Sequence, residues 1–75
     1  MTSRVSISPL VCHGKPVVAG TRVLISTILG ALAAGDTAEM LLEDYPGIVR
    51  EDISAALEFA REMSDYQVSA YDVAA

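Results

Sequence analysis

The hydrophobic pattern changes period at Ile25, and that change constrains the fold more than any other feature of the chain. Upstream, Pro9, Gly14, Pro16 and Gly20 interrupt four short β-prone pieces, Arg4 to Ile7, Leu10 to Cys12, Val17 to Ala19 and Arg22 to Ile25. Proline brings no amide to a ladder and glycine admits left-handed turns, so this stretch reads as hairpin or extended chain. Downstream, Ile25, Ile28, Leu29 and Leu32 recur at i, i+3, i+4 and i+7, one face of a helix that Gly35 ends. Asp36 is the expected N-cap of a second helix, with Glu39 at capping-box spacing and Ala38, Leu41, Leu42 and Tyr45 as its apolar stripe, until Pro46-Gly47 stops it. A third helix is expected from about Arg50 to Ser64. Its period places Ile53, Ala56, Leu57, Ala60 and Met63 inward with Phe59 flanking, and Glu51, Glu58, Glu62 and Asp65 on the far side.

Seventy-five residues make one small domain, with no room for a large enzyme core. At 52% hydrophobic and 20% charged residues the chain is too apolar for intrinsic disorder. The single Cys12 excludes an intramolecular disulfide, and the first residues carry neither an apolar signal core nor a cleavage pattern, so a cytoplasmic location is expected. Val23 to Ala34, the longest apolar stretch, falls short of the ~18 residues of a membrane span, and no insertion is expected. The expected division is a hairpin or arm over 1–24, a three-helix unit over 25–65 and a tail over 66–75, all in one domain.

Charge is divided along the chain. Residues 1–35 hold Arg4, Lys15 and Arg22 and no acid, whereas residues 36–75 hold all ten acids against Arg50 and Arg61, for an overall net charge of -5. Such asymmetry fits two halves that face different partners. The first helix is uncharged all round, its far side being Thr27, Gly30, Ala31 and Ala34. A helix of that kind is normally buried all round, which predicts that this face meets the hairpin, a second copy or another protein.

Chemistry is sparse. A zinc site needs three or four ligands, and Cys12-His13 supplies one of each type, so no metal or cofactor is expected. No nucleophile and base are paired, and GKPVVAGTR lacks the spacing of a phosphate-binding P-loop. No enzyme activity is expected. Arg22 has two readings: a salt bridge to Asp44 or Glu51 that locks the hairpin onto the helices, or a contact to phosphate.

The run Gly14-Lys15-Pro16-Val17-Val18-Ala19-Gly20-Thr21-Arg22-Val23, followed by Ile28, Gly35, Leu41-Leu42, Tyr45-Pro46 and Glu51-Asp52-Ile53-Ser54-Ala55-Ala56-Leu57, resembles the domain of unknown function 433 family over about Ile7 to Ala60. The resemblance implies a mainly α fold, a short N-terminal β-hairpin before a three-helix helix-turn-helix (homeodomain-like) unit. It also implies the antitoxin side of a bacterial type II toxin-antitoxin pair of the VapB type, with a PIN-like ribonuclease toxin as partner. One departure is Val49, where the family often has Thr or Ser to cap the third helix; losing such a cap costs about 1 kcal/mol.

Two functions follow as expectations. In the first, the chain covers and neutralises the toxin, with Arg61 and the tail residues Tyr66, Val68, Tyr71 and Val73 as contacts, and with Thr27, Gly30, Ala31 and Ala34 as a homodimer or heteromer face. In the second, the helix-turn-helix unit regulates transcription by binding operator DNA. The third helix carries Glu51, Asp52, Glu58 and Glu62, with Asp65 at its end, against Arg50 and Arg61, so DNA contacts would come from Arg4, Lys15, Arg22 and Arg50.

Overall fold

The computed structural model of the protein describes residues 4–65. Strand β1 (Val5–Ser6) pairs antiparallel with β2 (Val17–Val18), and helices α1 (Ile25–Ala33), α2 (Ala38–Asp44) and α3 (Arg50–Met63) follow. The fold is mainly helical with a short N-terminal hairpin, as the residue pattern predicts. A bridge from Val17 to Leu24 extends the hairpin to the start of α1. Leu10 to Cys12 forms no strand; it leads into a turn at Cys12–Gly14 in which three successive residues have positive φ, 50°, 58° and 82°. None of the helices among the described residues is long and apolar enough to cross a membrane.

Alternation decides the two faces of the ladder. Val5 stands opposite Val18, and both join the core with Ile25, Ile28, Leu41, Ile48, Ile53, Ala55, Ala56 and Phe59. Helix α3 is the hub, packing against α1, α2 and β1. Its inward face differs from the expected one. Phe59 is 8% exposed and Leu57 51%, with Met63 also exposed, so the buried stripe runs Asp52, Ile53, Ala55, Ala56, Phe59. Aromatic bulk decides the rotation: burying Phe59 under α1 and β1 removes more apolar surface from water than burying Leu57 would.

The α1 end forms a Schellman motif. Gly35 adopts φ +100°, the Asp36 amide donates to Ala31 O at 3.0 Å and the Gly35 amide to Leu32 O at 3.1 Å. This corrects the expected cap of α2. Asp36 is spent in closing α1, and Thr37 is the first residue free to open the next helix. Thr37 Oγ1 accepts the Met40 amide at 3.2 Å, and the Thr37 amide donates back to Met40 Sδ at 3.4 Å.

At α3 the N-cap is Val49, which has no side-chain acceptor, so only the return half of a capping box forms: the Val49 amide donates to Asp52 Oδ2 at 2.9 Å. Asp52 Oδ1 also accepts from Arg4 Nη1 at 3.1 Å. The expected lock between hairpin and helices therefore exists, but through Arg4 and Asp52. Arg22 makes no ion pair among the described residues, and neither Asp44 nor Glu51 is its partner.

Candidate functional site

Three surfaces carry the residues singled out by sequence. The first is the outward side of α3, where Glu51, Ser54, Leu57, Glu58 and Arg61 are exposed and Glu62 is half-buried. Its two arginines are occupied. Arg61 grips Glu58 one turn back, with Nη2 at 2.6 Å and Nε at 3.0 Å from Oε1. Arg50 is paired with Glu39 of α2. The Arg61 hydrogen bond holds the Glu58 carboxyl below the usual glutamate range and raises Arg61 in turn, and the hydrogen bond from Arg50 lowers Glu39 likewise. What α3 offers outward is thus a row of carboxylates, Glu51, Glu58 and Glu62, flanked by the exposed apolar side chain of Leu57.

The second is α1. Thr27 and Ala31 are half-buried, whereas Gly30 and Ala34 are exposed, so the small-residue face is only partly covered within one chain. A Cβ placed on Gly30 would meet nothing within 4 Å, so no packing inside the chain requires glycine there.

The third lies on the side of the hairpin turned from the helices. Ser6 and Val17 face each other across the ladder there, and with Val11, Gly20, Thr21 and Arg22 they line a cavity of about 390 Å³. Val17 is 2% exposed yet stands outside the helical core, as the floor of this cavity. Thr21 fixes the turn beside it, its Oγ1 donating to Val18 O at 2.8 Å and accepting the Val23 amide at 3.0 Å. Cys12 Sγ lies 3.7 Å from Arg22 O and donates to it, holding the left-handed turn against the same edge. Lys15 and Arg22 are exposed, and among the described residues neither has an ion pair.

Of the candidate DNA contacts, Arg4 and Arg50 are engaged in ion pairs, and Lys15 and Arg22 have none among the described residues. Tyr66, Val68, Tyr71 and Val73 lie outside the described residues. No group of three or more His, Cys, Asp or Glu side chains among the described residues is placed to hold a metal ion. Sequence reading missed the cavity. Its signal was the alternation Val5-Ser6 against Val17-Val18, which puts Val5 and Val18 on the core side of the ladder and leaves Val17 on the other.

Residues 5–60 match the family model described as a protein of unknown function, DUF433. An uncharacterized protein of Sinorhizobium fredii, y4eO, is 39% identical over 56 residues, which cover 75% of this chain and 25% of that protein. The crystal structure of a DUF433 member protein from Anabaena variabilis superposes with a TM-score of 0.78 at 30% identity, covering 85% of this chain and 63% of the other. The chain therefore spans a quarter of the length of that curated relative and less than two thirds of that solved neighbour.

Proposed function

The chain belongs to the DUF433 family, and from that premise we propose that it is a non-enzymatic protein-binding module, the VapB-type antitoxin of a cytoplasmic toxin-antitoxin pair that neutralises a PIN-like ribonuclease by covering it. The observation that carries this reading is the outward face of α3, acidic, flanked by an exposed Leu57, and with both of its arginines tied to glutamates. A nuclease must attract RNA, so its groove is basic. A row of carboxylates complements such a groove and speeds encounter, while the apolar Leu57 at its edge offers a side chain to bury in the contact. The Arg61–Glu58 pair is exposed and holds its partners weakly, so Arg61 can be released to the metal-binding carboxylates of a nuclease. Tyr66, Val68, Tyr71 and Val73 are the further contacts proposed for the toxin.

Self-association through Thr27, Gly30, Ala31 and Ala34 is the proposed second contact. Gly30→Glu tests it cleanly, because the open space at Gly30 lets the variant fold. Operator binding is the alternative, favoured by the connectivity of α2, the Pro46-Gly47 turn and α3. Phosphate would be repelled by α3, so the cations would have to come from outside it.

The deciding experiment mixes the purified chain with a PIN-like ribonuclease encoded beside it and follows RNA cleavage. One equivalent should abolish cleavage, and Leu57→Asp should restore it while leaving the helical content unchanged. Full neutralisation by Leu57→Asp would remove α3 from the interface. A shift of upstream duplex DNA by the chain alone at moderate salt would favour the operator reading.

A further inference from the structure

Four of the six residues that line the cavity on the far side of the hairpin belong to the run Gly14 to Val23, the most distinctive stretch of the sequence and one that lies outside the α3 face proposed for the toxin. Core packing accounts for Val18, and turn geometry for Gly20 and Thr21. Neither accounts for Arg22, whose side chain is exposed and unpaired among the described residues at the cavity wall. We propose that this cavity is a docking site for an acidic peptide segment, one aspartate or glutamate carboxylate seated on Arg22 with an apolar neighbour against Val11.

The donors count out the ligand. Arg22 offers a planar fork and Ser6 a hydroxyl that makes no hydrogen bond among the described residues, which together satisfy the oxygens of one carboxylate. A phosphate would bring three oxygens and more charge than one guanidinium offsets. The remaining walls are Val11 and Val17, and Leu10, next to Val11 in the chain, is 89% exposed. A large apolar side chain left in water next to a lining residue suits a peptide with an apolar residue flanking its acid. Charge agrees: no acid lines the cavity, Lys15 is also exposed and unpaired among the described residues, and the first 35 residues of the chain contain no acid at all. The volume of about 390 Å³ admits one or two side chains and excludes a folded domain.

The test is a titration of the full chain, with amide resonances followed by NMR, using the capped peptide Ala-Leu-Glu-Leu-Ala, its Gln counterpart, inorganic phosphate and a short DNA duplex as separate probes. The Glu peptide should produce saturable shifts confined to Ser6, Val11 and the Gly20–Val23 turn, with affinity at least about tenfold above that of the Gln peptide. Arg22→Gln should erase that difference while leaving the remaining resonances in place. Leu10→Ser, at a side chain too exposed to matter for folding, should weaken the Glu peptide about threefold. Equal binding of the Glu and Gln peptides, an undiminished response in Arg22→Gln, no saturable shift up to about 10 mM peptide, or tighter binding of phosphate or DNA at the same amides would each overturn the proposal.

Discussion

Replacing Asp52 by alanine tests how the hairpin and helices are held together. Its carboxylate serves two partners, the Val49 amide at 2.9 Å and Arg4 at 3.1 Å, and is itself 8% exposed as a side chain. Loss of the cap contact costs about 1 kcal/mol. The ion pair adds about 0.5–1 kcal/mol, discounted because the Arg4 side chain is 46% exposed. Val49 is 48% exposed, so water reaches its freed amide and no full burial penalty is added. The total of roughly 1.5–2 kcal/mol corresponds to a fall in Tm of about 10 °C for a domain of this size. Asp52→Asn keeps an oxygen for Val49 and loses the charge, so it should cost about half as much. Thermal and urea unfolding of Asp52→Ala, Asp52→Asn, Arg4→Ala and the Arg4→Ala/Asp52→Ala double variant would measure these terms, the double cycle giving a coupling of about 0.5–1 kcal/mol. Strict additivity would refute the Arg4 link, and an Asn variant as unstable as the Ala variant would refute the cap.

Three further outcomes follow from the helix ends and their ion pairs. Thr37→Ala should lower stability by about 1 kcal/mol in thermal unfolding while Asp36→Ala changes it by no more than a few tenths, and the reverse order would return the cap to Asp36. Val49→Thr supplies the acceptor that α3 lacks and should raise stability by about 0.5–1 kcal/mol in urea unfolding; no gain would mean that Asp52 already satisfies the helix start. Glu39 and Glu58 sit below the ordinary value of 4.5 because Arg50 and Arg61 hydrogen-bond their charged forms. A carboxylate lowered on folding contributes stability that is complete above the unfolded value and lost as pH falls through the folded one. The Tm advantage of the parent over Glu39→Gln/Glu58→Gln should therefore be constant above about pH 5 and vanish in acid, and an advantage that persists there would contradict the pairing.

The helical order was legible because its signals are local. Ile25, Ile28, Leu29 and Leu32 repeat at helical spacing, and Gly35 and Pro46-Gly47 mark the breaks. The cap of α2 was misread by one residue, since Asp36 has the right chemistry but the Schellman motif claims it first, and that competition shows only when both helix ends are considered together. Leu57 and Phe59 were exchanged because they lie two residues apart on α3, and period alone cannot say which of them α1 and β1 will cover. For the arginines, sequence supplied the device of a cation locking hairpin to helix but named the wrong members, Arg22 with Asp44 or Glu51 in place of Arg4 with Asp52. A strand of two residues does not announce where its first arginine will reach, so Arg4 found Asp52 and Arg22 was left at the surface. The cavity was invisible for a related reason: its lining comes from three separated pieces, Ser6, Val11 and Val17 to Arg22, which only the folded hairpin assembles.

Arg4 and Asp52 are 48 residues apart, and β1 packs directly on α3. This has a consequence for the order in which the protein is made. On the ribosome the hairpin emerges before the helices, yet Val5 lacks the cover of α3 and Arg4 lacks Asp52 until that helix has left the exit tunnel. Local turns can form early, but the chain gains its stability in one late step when the last helix closes over the first strand. Hydrogen exchange on arrested nascent chains would make this visible: amides of β2 should stay unprotected in chains that end before Arg50 and become protected once Phe59 is outside. Protection of β2 in the shorter chains would show instead that the hairpin stands alone.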